Sequence, residues 1–250
     1  RSSDLVLADD NMATIVAAVR EGRAIFADIR AFLRYLLSSN AGEVLTMLLG
    51  ALGAGVLGLT GHGEAVAVPL LATQILWINL LTDTGPALAM GLDPPPDDVM
   101  RRPPRRQTDR VIDRAMLVGV AVVGLTMAAA TLLALDLRLP GGLLDGGGTL
   151  VEARTMAFTT LVVAQLFNCF NSRSDRVSAF RRPFSNGWIW AAVALSLGLQ
   201  VAVVHLPWLG TAFGTVPLSL SDWAACVVLA SSVLWVDELR KALHRRRSGR

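Results

Sequence analysis

Six long apolar stretches constrain this chain more than any other feature: residues 31–59, 66–91, 115–137, 155–171, 187–206 and 220–236. A helix needs about 20 apolar residues to cross a bilayer. In hydrocarbon it also satisfies its own backbone hydrogen bonds, which an open strand cannot do. The expected fold is an all-α membrane protein, a six-helix transmembrane bundle. Composition agrees, with 53% of the 250 residues hydrophobic and only 17% charged, against about 25% charged in a soluble domain. A disordered chain, a soluble nucleic-acid binder and a small disulfide-stapled secreted domain are thereby excluded. Cys169 and Cys226 both sit in apolar runs and read as buried hydrophobes, not as a redox pair or metal site.

The net charge of +3 is a matter of topology rather than of partners. Twenty-one of the 23 basic residues precede or begin the first span, or lie in the connections 92–114 and 172–186 or in the tail from Arg240. The alternate connections, 60–65, 138–154 and 207–219, hold only Arg138 and Arg154. The positive-inside rule makes the basic side cytoplasmic, and six spans return the chain to it, so both ends are expected in the cytoplasm. Upstream, Leu5–Ala8 reads as one short strand and Asp9-Asp10-Asn11 as helix-capping residues. Ile15, Val16, Val19, Ile25, Ile29, Phe32 and Leu33 then recur at helical spacing with no breaker except Gly22. The division expected is 1–10 as the end of another domain, 11–30 as a stalk helix, 31–240 as the membrane domain and 241–250 as a basic cytoplasmic tail. The start at Arg1-Ser2-Ser3, with neither Met nor signal peptide, reads as a piece of something longer.

Polar residues inside the spans carry the functional signal, since a carboxylate at the bilayer centre costs about 2.5–3.5 kcal/mol even on a lenient scale. Asn40 and Glu43 lie three apart on one helix face, and Asn79, Thr82 and Asp83 share another at spacings 3 and 4. Pro86 follows directly, and its missing N–H is expected to loosen the helix beside Asp83 and free carbonyl oxygens. Gln165 and Asn168 share a face in the fourth span. This oxygen-rich set, with no His or Cys, favours Ca²⁺, Na⁺, K⁺ or H⁺ over Cu⁺ or Zn²⁺. The plainer reading, polar side chains that hold helices together, suits Asn168, Asn171, Gln74 and Thr46. Gly50, Gly53, Gly55, Gly58, Gly119 and Gly124 read as packing residues. Trp188, Trp208, Trp223 and Trp235 read as interfacial anchors, and Trp77 and Trp190 as buried. His62 and His205 read as ordinary interfacial polar residues.

The segment LVLADDNMATIVAAVREGRAIFADIRAFLRYLLSSNAGEV resembles the end of the phosphorylation domain of a P-type ATPase, running through its stalk into the fifth membrane helix. QILWINLLTDTGPALAMGLDPP resembles the sixth helix, MRRPPR the cytoplasmic loop after it, and TMAFTTLVVAQLFNCFNSRS the eighth. The resemblance covers essentially the whole chain and is strongest to sarcoplasmic-reticulum-type calcium pumps and their bacterial relatives. It implies family helices five to ten, with residues 1–10 closing the phosphorylation domain. It further implies Ca²⁺ as the transported ion, ATP and Mg²⁺ used by the full-length protein, and residence in a bacterial plasma membrane. Asn40, Glu43, Asn79, Thr82 and Asp83 match ion ligands of the family. Gln165 stands where two-site calcium pumps carry a glutamate, which implies one Ca²⁺ per cycle, held at the site of Asn79 and Asp83.

The motifs DKTGT, TGE and GDGxNDxP are absent from the chain. The resemblance therefore implies that this fragment does not hydrolyse ATP alone. It needs the actuator, nucleotide-binding and phosphorylation domains and the first four helices as partners, together with the lipid bilayer and no nucleic acid. A sodium/potassium-type pump is the nearest alternative. Rivals of another class are an ATP-independent secondary transporter and a helix-packing membrane subunit.

Overall fold

The structure, a computed structural model, describes residues 12–59, 68–94, 100, 111–144, 146–174, 178–180 and 184–248. The expected strand at 5–8, the caps at Asp9–Asn11, His62 and most of the arginine-rich connection lie outside these residues.

The described residues form helices and no strand. Helix α1, Met12–Leu52, is a single rod of 41 residues that carries stalk and first apolar stretch together. The only glycine of its stalk half, Gly22, is exposed and faces open space, so it interrupts nothing. The second stretch is not one α-helix. It divides into α2 (Ala72–Trp77), a π-helical turn (Ile78–Thr82) and α3 (Thr84–Met90). Helices α4 (Arg114–Asp136), α5 (Leu150–Ser172), α6 (Gly187–His205), the short α7 (Pro207–Phe213) and α8 (Leu220–Ser248) follow. Four helices, α4, α5, α6 and α8 over Leu220–Leu243, are long and apolar enough to cross a membrane. The first two stretches differ from them because one continues a charged stalk and the other is broken. Helix α8 also runs on through the region expected as tail, and it buries Lys241.

Helix starts follow local chemistry. Asp113 caps α4 by accepting the Met116 N–H at 2.8 Å, Thr149 and Glu152 form a reciprocal capping box on α5, and Asn186 caps α6. Helix α5 is the central element, with seventeen of its 23 residues buried. At the α1–α4 crossing the backbones meet closely because both sides are small. A Cβ on Gly124 would lie 2.9 Å from that of Ala41, and one on Gly42 2.9 Å from Met127 Sδ. Gly58 combines a left-handed φ of +70° with backbone of Gly141 2.8 Å from an added Cβ, a position open only to glycine. One of the glycine expectations needs correction: Gly55 faces open space, whereas Gly119 does pack, against the Arg240 guanidinium of α8.

Ion pairs tie the two ends of the bundle. At one end Arg30 pairs with Asp113, and Arg173 grips Asp93 through two bonds of 2.8 and 2.9 Å. At the other, Arg138 pairs with Asp222 and Arg154 donates to the Val68 carbonyl at 2.8 Å. The burial of the tryptophans is nearly as expected, except that Trp190 is 39% exposed and stacks on Phe184. Both cysteines are free and buried.

Candidate ion-binding site

Pro86 sets the local geometry. It has no N–H for the carbonyl of Thr82, four residues back, and the Ser196 hydroxyl of α6 supplies that bond instead at 3.2 Å. Just ahead of this gap the helix widens. The Asp83 N–H reaches back five residues to the Ile78 carbonyl at 3.0 Å, and the Thr84 hydroxyl takes the Asn79 carbonyl at 3.2 Å. The loosening expected from Pro86 is therefore a π turn, a form that recurs at functional sites. The carbonyls of Asn79 and Thr82 are taken by hydroxyls rather than left free.

The π turn gives its polar residues different surroundings. Asn79 is exposed, and its amide donates to Glu43 Oε2 at 2.6 Å and to the Ile75 carbonyl at 3.1 Å. Thr82 is buried, and its hydroxyl stays on its own helix, donating to the Ile78 carbonyl. Asp83 is buried and accepts the Tyr35 hydroxyl of α1 at 2.8 Å on Oδ1, while Oδ2 has no partner. An α-helical count placed all three on one face, and the wider turn undoes that count.

Glu43 is the point of convergence. Its Oε1 accepts the Gln165 amide of α5 at 2.9 Å while Oε2 accepts Asn79, so one buried carboxylate holds three segments together. Gln165 is itself buried, with its amide oxygen unpartnered. Asn168, on the same face of α5, donates to Ser38 of α1 at 2.7 Å and accepts the Ser172 hydroxyl. Asn40 does not join the cluster. It is exposed and folds back on the Leu36 carbonyl at 2.8 Å. Glu43, Val44, Met47, Leu48 and Ile75 line an open groove beside it.

The site thus offers two buried carboxylates, two orphaned acceptor oxygens and amides that can present either N–H or C=O. Among the described residues no three His, Cys, Asp or Glu side chains converge. A hard cation here would take carboxylate, amide and backbone oxygens, the donor types of Ca²⁺ coordination. Tyr35, Ser38 and Ser196 were not singled out from the sequence, although Tyr35 and Ser38 lie one helical turn apart on the helix that carries Glu43. Among the residues read as helix glue, Asn171 and Gln74 bond across elements, to the Val233 and Phe213 carbonyls. Thr46 instead bonds its own helix.

A family profile described as cation transporting ATPase, C-terminus, matches residues 67–243. The chain belongs to the cation-transporting ATPases. It is similar to the calcium-transporting ATPase of Bacillus subtilis, 40% identical over 92% of this chain and 24% of that protein. It is also similar to the endoplasmic reticulum-type calcium-transporting ATPase 4 of Arabidopsis thaliana, 33% identical over 99% of this chain and 27% of the relative. The endoplasmic reticulum calcium ATPase of Aspergillus fumigatus is 33% identical over 98% of this chain and 27% of its own length. The chain thus spans about a quarter of the length of these relatives. In this ATPase family the chain is a multi-pass membrane region, in keeping with its four membrane-capable helices.

Proposed function

We propose that this chain is the cation-transport region of an ATP-driven calcium pump that moves one Ca²⁺ per cycle out of the cytoplasm. Glu43 and Asp83 are the charged ligands, with oxygens of Asn79, Thr82 and Gln165 around them, and Asn40 joins them only on leaving the Leu36 carbonyl that it holds here. The observation that carries the reading is the Glu43 carboxylate, buried in an apolar bundle and held between amides from the π turn and from α5. A buried intramembrane carboxylate marks an ion or proton pathway, and the relatives are calcium-transporting ATPases. Gln165 brings no charge of its own to Glu43, which favours a single divalent ion over two.

The engine lies in the rest of the protein. Phosphorylation of an aspartate in the headpiece shifts a population between conformations, and α1 runs unbroken from Met12 to Leu52 past Glu43. A tilt of that rod moves Tyr35 and Glu43 relative to Asp83 and Asn79 and changes the coordination offered to the ion. Protons return on the two carboxylates. The chain sits in a bacterial plasma membrane as six spans with both ends cytoplasmic, and the exposed face around Asn40, Asn79 and the groove packs against the first four helices.

The test is metal-dependent phosphorylation of the full-length protein. Ca²⁺ should drive it, and Glu43→Gln or Asp83→Asn should abolish the dependence. Phosphorylation driven by Na⁺ instead, or a transport stoichiometry of two Ca²⁺ per ATP, would overturn the ion or the count.

A further inference from the structure

Helix α5 delivers Gln165 to the site, and its far end is held in an unusual way. A helix terminus leaves its last four carbonyls without intrahelical partners, and a glycine turn commonly closes them. Here the C-cap is Arg173 in ordinary right-handed conformation, φ −59° and ψ −31°. Side-chain cations take the place of the missing turn. Arg34 of α1 donates to the Ser172 carbonyl at 3.0 Å, and Lys241 of α8 donates to the Asn171 carbonyl at 2.8 Å.

Lys241 is the only lysine in the chain and is 1% exposed. Burying an ammonium is costly unless its donors are met, and an ammonium has three. Two are met, by the Asn171 carbonyl at 2.8 Å and Asp237 Oδ2 at 3.0 Å, and Glu238 Oε1 stands at ion-pair range, 3.8 Å away. The same Glu238 oxygen accepts the Ala179 N–H at 2.7 Å in the segment after α5, and Asp237 Oδ1 accepts Arg240 at 2.7 Å. The Asn171 side chain returns the grip by donating to the Val233 carbonyl of α8 at 3.0 Å. A packing contact would need only apolar side chains here. This one places a paired charge at the negative end of the α5 dipole and fixes the helix along its axis.

We infer that Lys241 is a positioning residue for the ion site: it sets the axial position of α5, and so the reach of Gln165 to Glu43. Asn171 and Gln165 are six residues apart, about 9 Å of helix at 1.5 Å per residue. A rigid helix transmits a shift at one end to the other. The Gln165–Glu43 bond is 2.9 Å and runs between two helices, so an axial slip of about 2 Å lengthens it to about 3.5 Å and bends it out of line, beyond a good hydrogen bond. The inference rests on the proposed role of Glu43 and Gln165 in ion binding.

The experiment uses the full-length protein, titrating Ca²⁺-dependent phosphorylation in wild type, Lys241→Met, Lys241→Gln, Gln165→Ala and the double variants. Lys241→Met should raise the half-saturating Ca²⁺ about 10-fold, as changes outside the ligand shell typically do, with maximal phosphorylation per folded molecule within about 2-fold. Lys241→Gln, which keeps a donor for Asn171, should fall between and serves as the reading if Lys241→Met does not fold. In the Gln165→Ala background neither Lys241 variant should shift half-saturation further. An unchanged half-saturation, or the same shift with Gln165 already removed, overturns the inference and leaves the pump reading standing. A wild-type protein without Ca²⁺-dependent phosphorylation overturns both.

Discussion

Two substitutions at Glu43 separate what the carboxylate does for the fold from what it does for the ion. Glu43 accepts two amide donors, Asn79 at 2.6 Å and Gln165 at 2.9 Å, and is 4% exposed. Glu43→Ala removes both acceptors and leaves two amides facing a void. Interhelical hydrogen bonds in membranes are worth about 0.6 kcal/mol on average and about 1.7 at most. Truncating a buried side chain adds a cavity term of similar size. Together they set the cost of Glu43→Ala at about 2–4 kcal/mol. Glu43→Gln behaves differently. One amide oxygen still accepts one donor, and the new N–H₂ finds the Gln165 oxygen, which is buried and unpartnered, once Gln165 turns over. That rearrangement keeps two bonds, so the expected cost is below about 1 kcal/mol. Under the proposed role of Glu43, ion binding needs the charge and should be lost in both. The assay is a pair of measurements on the purified full-length protein: unfolding in mixed detergent, and equilibrium Ca²⁺ binding. The reasoning would be refuted by a Gln variant that unfolds as readily as the Ala variant, or by one that binds Ca²⁺ with wild-type affinity.

Further outcomes follow from packing and from charges outside the membrane. Gly124→Leu pushes a side chain against the backbone of Ala41 and Gly42 and should cost about 1–3 kcal/mol, read as a lower midpoint in detergent thermal unfolding. Burial pushes the Asp113 carboxyl up, but its bonds from Arg30 and the Met116 N–H outweigh that and hold it below 3.8. Its stabilising contribution is therefore present above 3.8 and lost as pH falls through its lower folded value; Asp113→Asn should remove that acid dependence from the unfolding midpoint. Asp28 is the opposite case. Burial, with Asp93 and then Glu21 adding repulsion, raises it from 3.8 to about 6. Stability of the stalk segment is then greatest below 3.8 and falls as pH rises through about 6. Hydrogen exchange across residues 24–31 should show protection lost between pH 3.8 and about 6 in wild type and level in Asp28→Asn; identical profiles would contradict the assignment.

Features that belong to one segment at a time were legible in the residues alone. Apolar length and the near-absence of charge fixed a helical membrane bundle, because a spanning segment must satisfy its own backbone wherever it packs. The unbroken pattern from Ile15 onward gave a stalk continuous with the first span, and α1 is one helix from Met12 to Leu52. Glu43, Asp83 and Gln165 stood out because buried polar groups in apolar surroundings require a reason, and all three are buried. Pro86 marked the break because its missing donor is a local property.

Which of those groups meet depends on how the helices pack. Spacing alone put Asn79, Thr82 and Asp83 on one face, but the π turn sends Asn79 to Glu43 and Asp83 to Tyr35. Asn40 shares the helix of Glu43 yet bonds only its own backbone. The partners that complete the cluster come from far along the chain: Gln165 is 122 residues from Glu43, and Lys241 lies 70 from Asn171. No local pattern registers a hydrogen bond across such separations. It forms only when α5 packs against α1 and α8 and brings their polar faces within 3 Å.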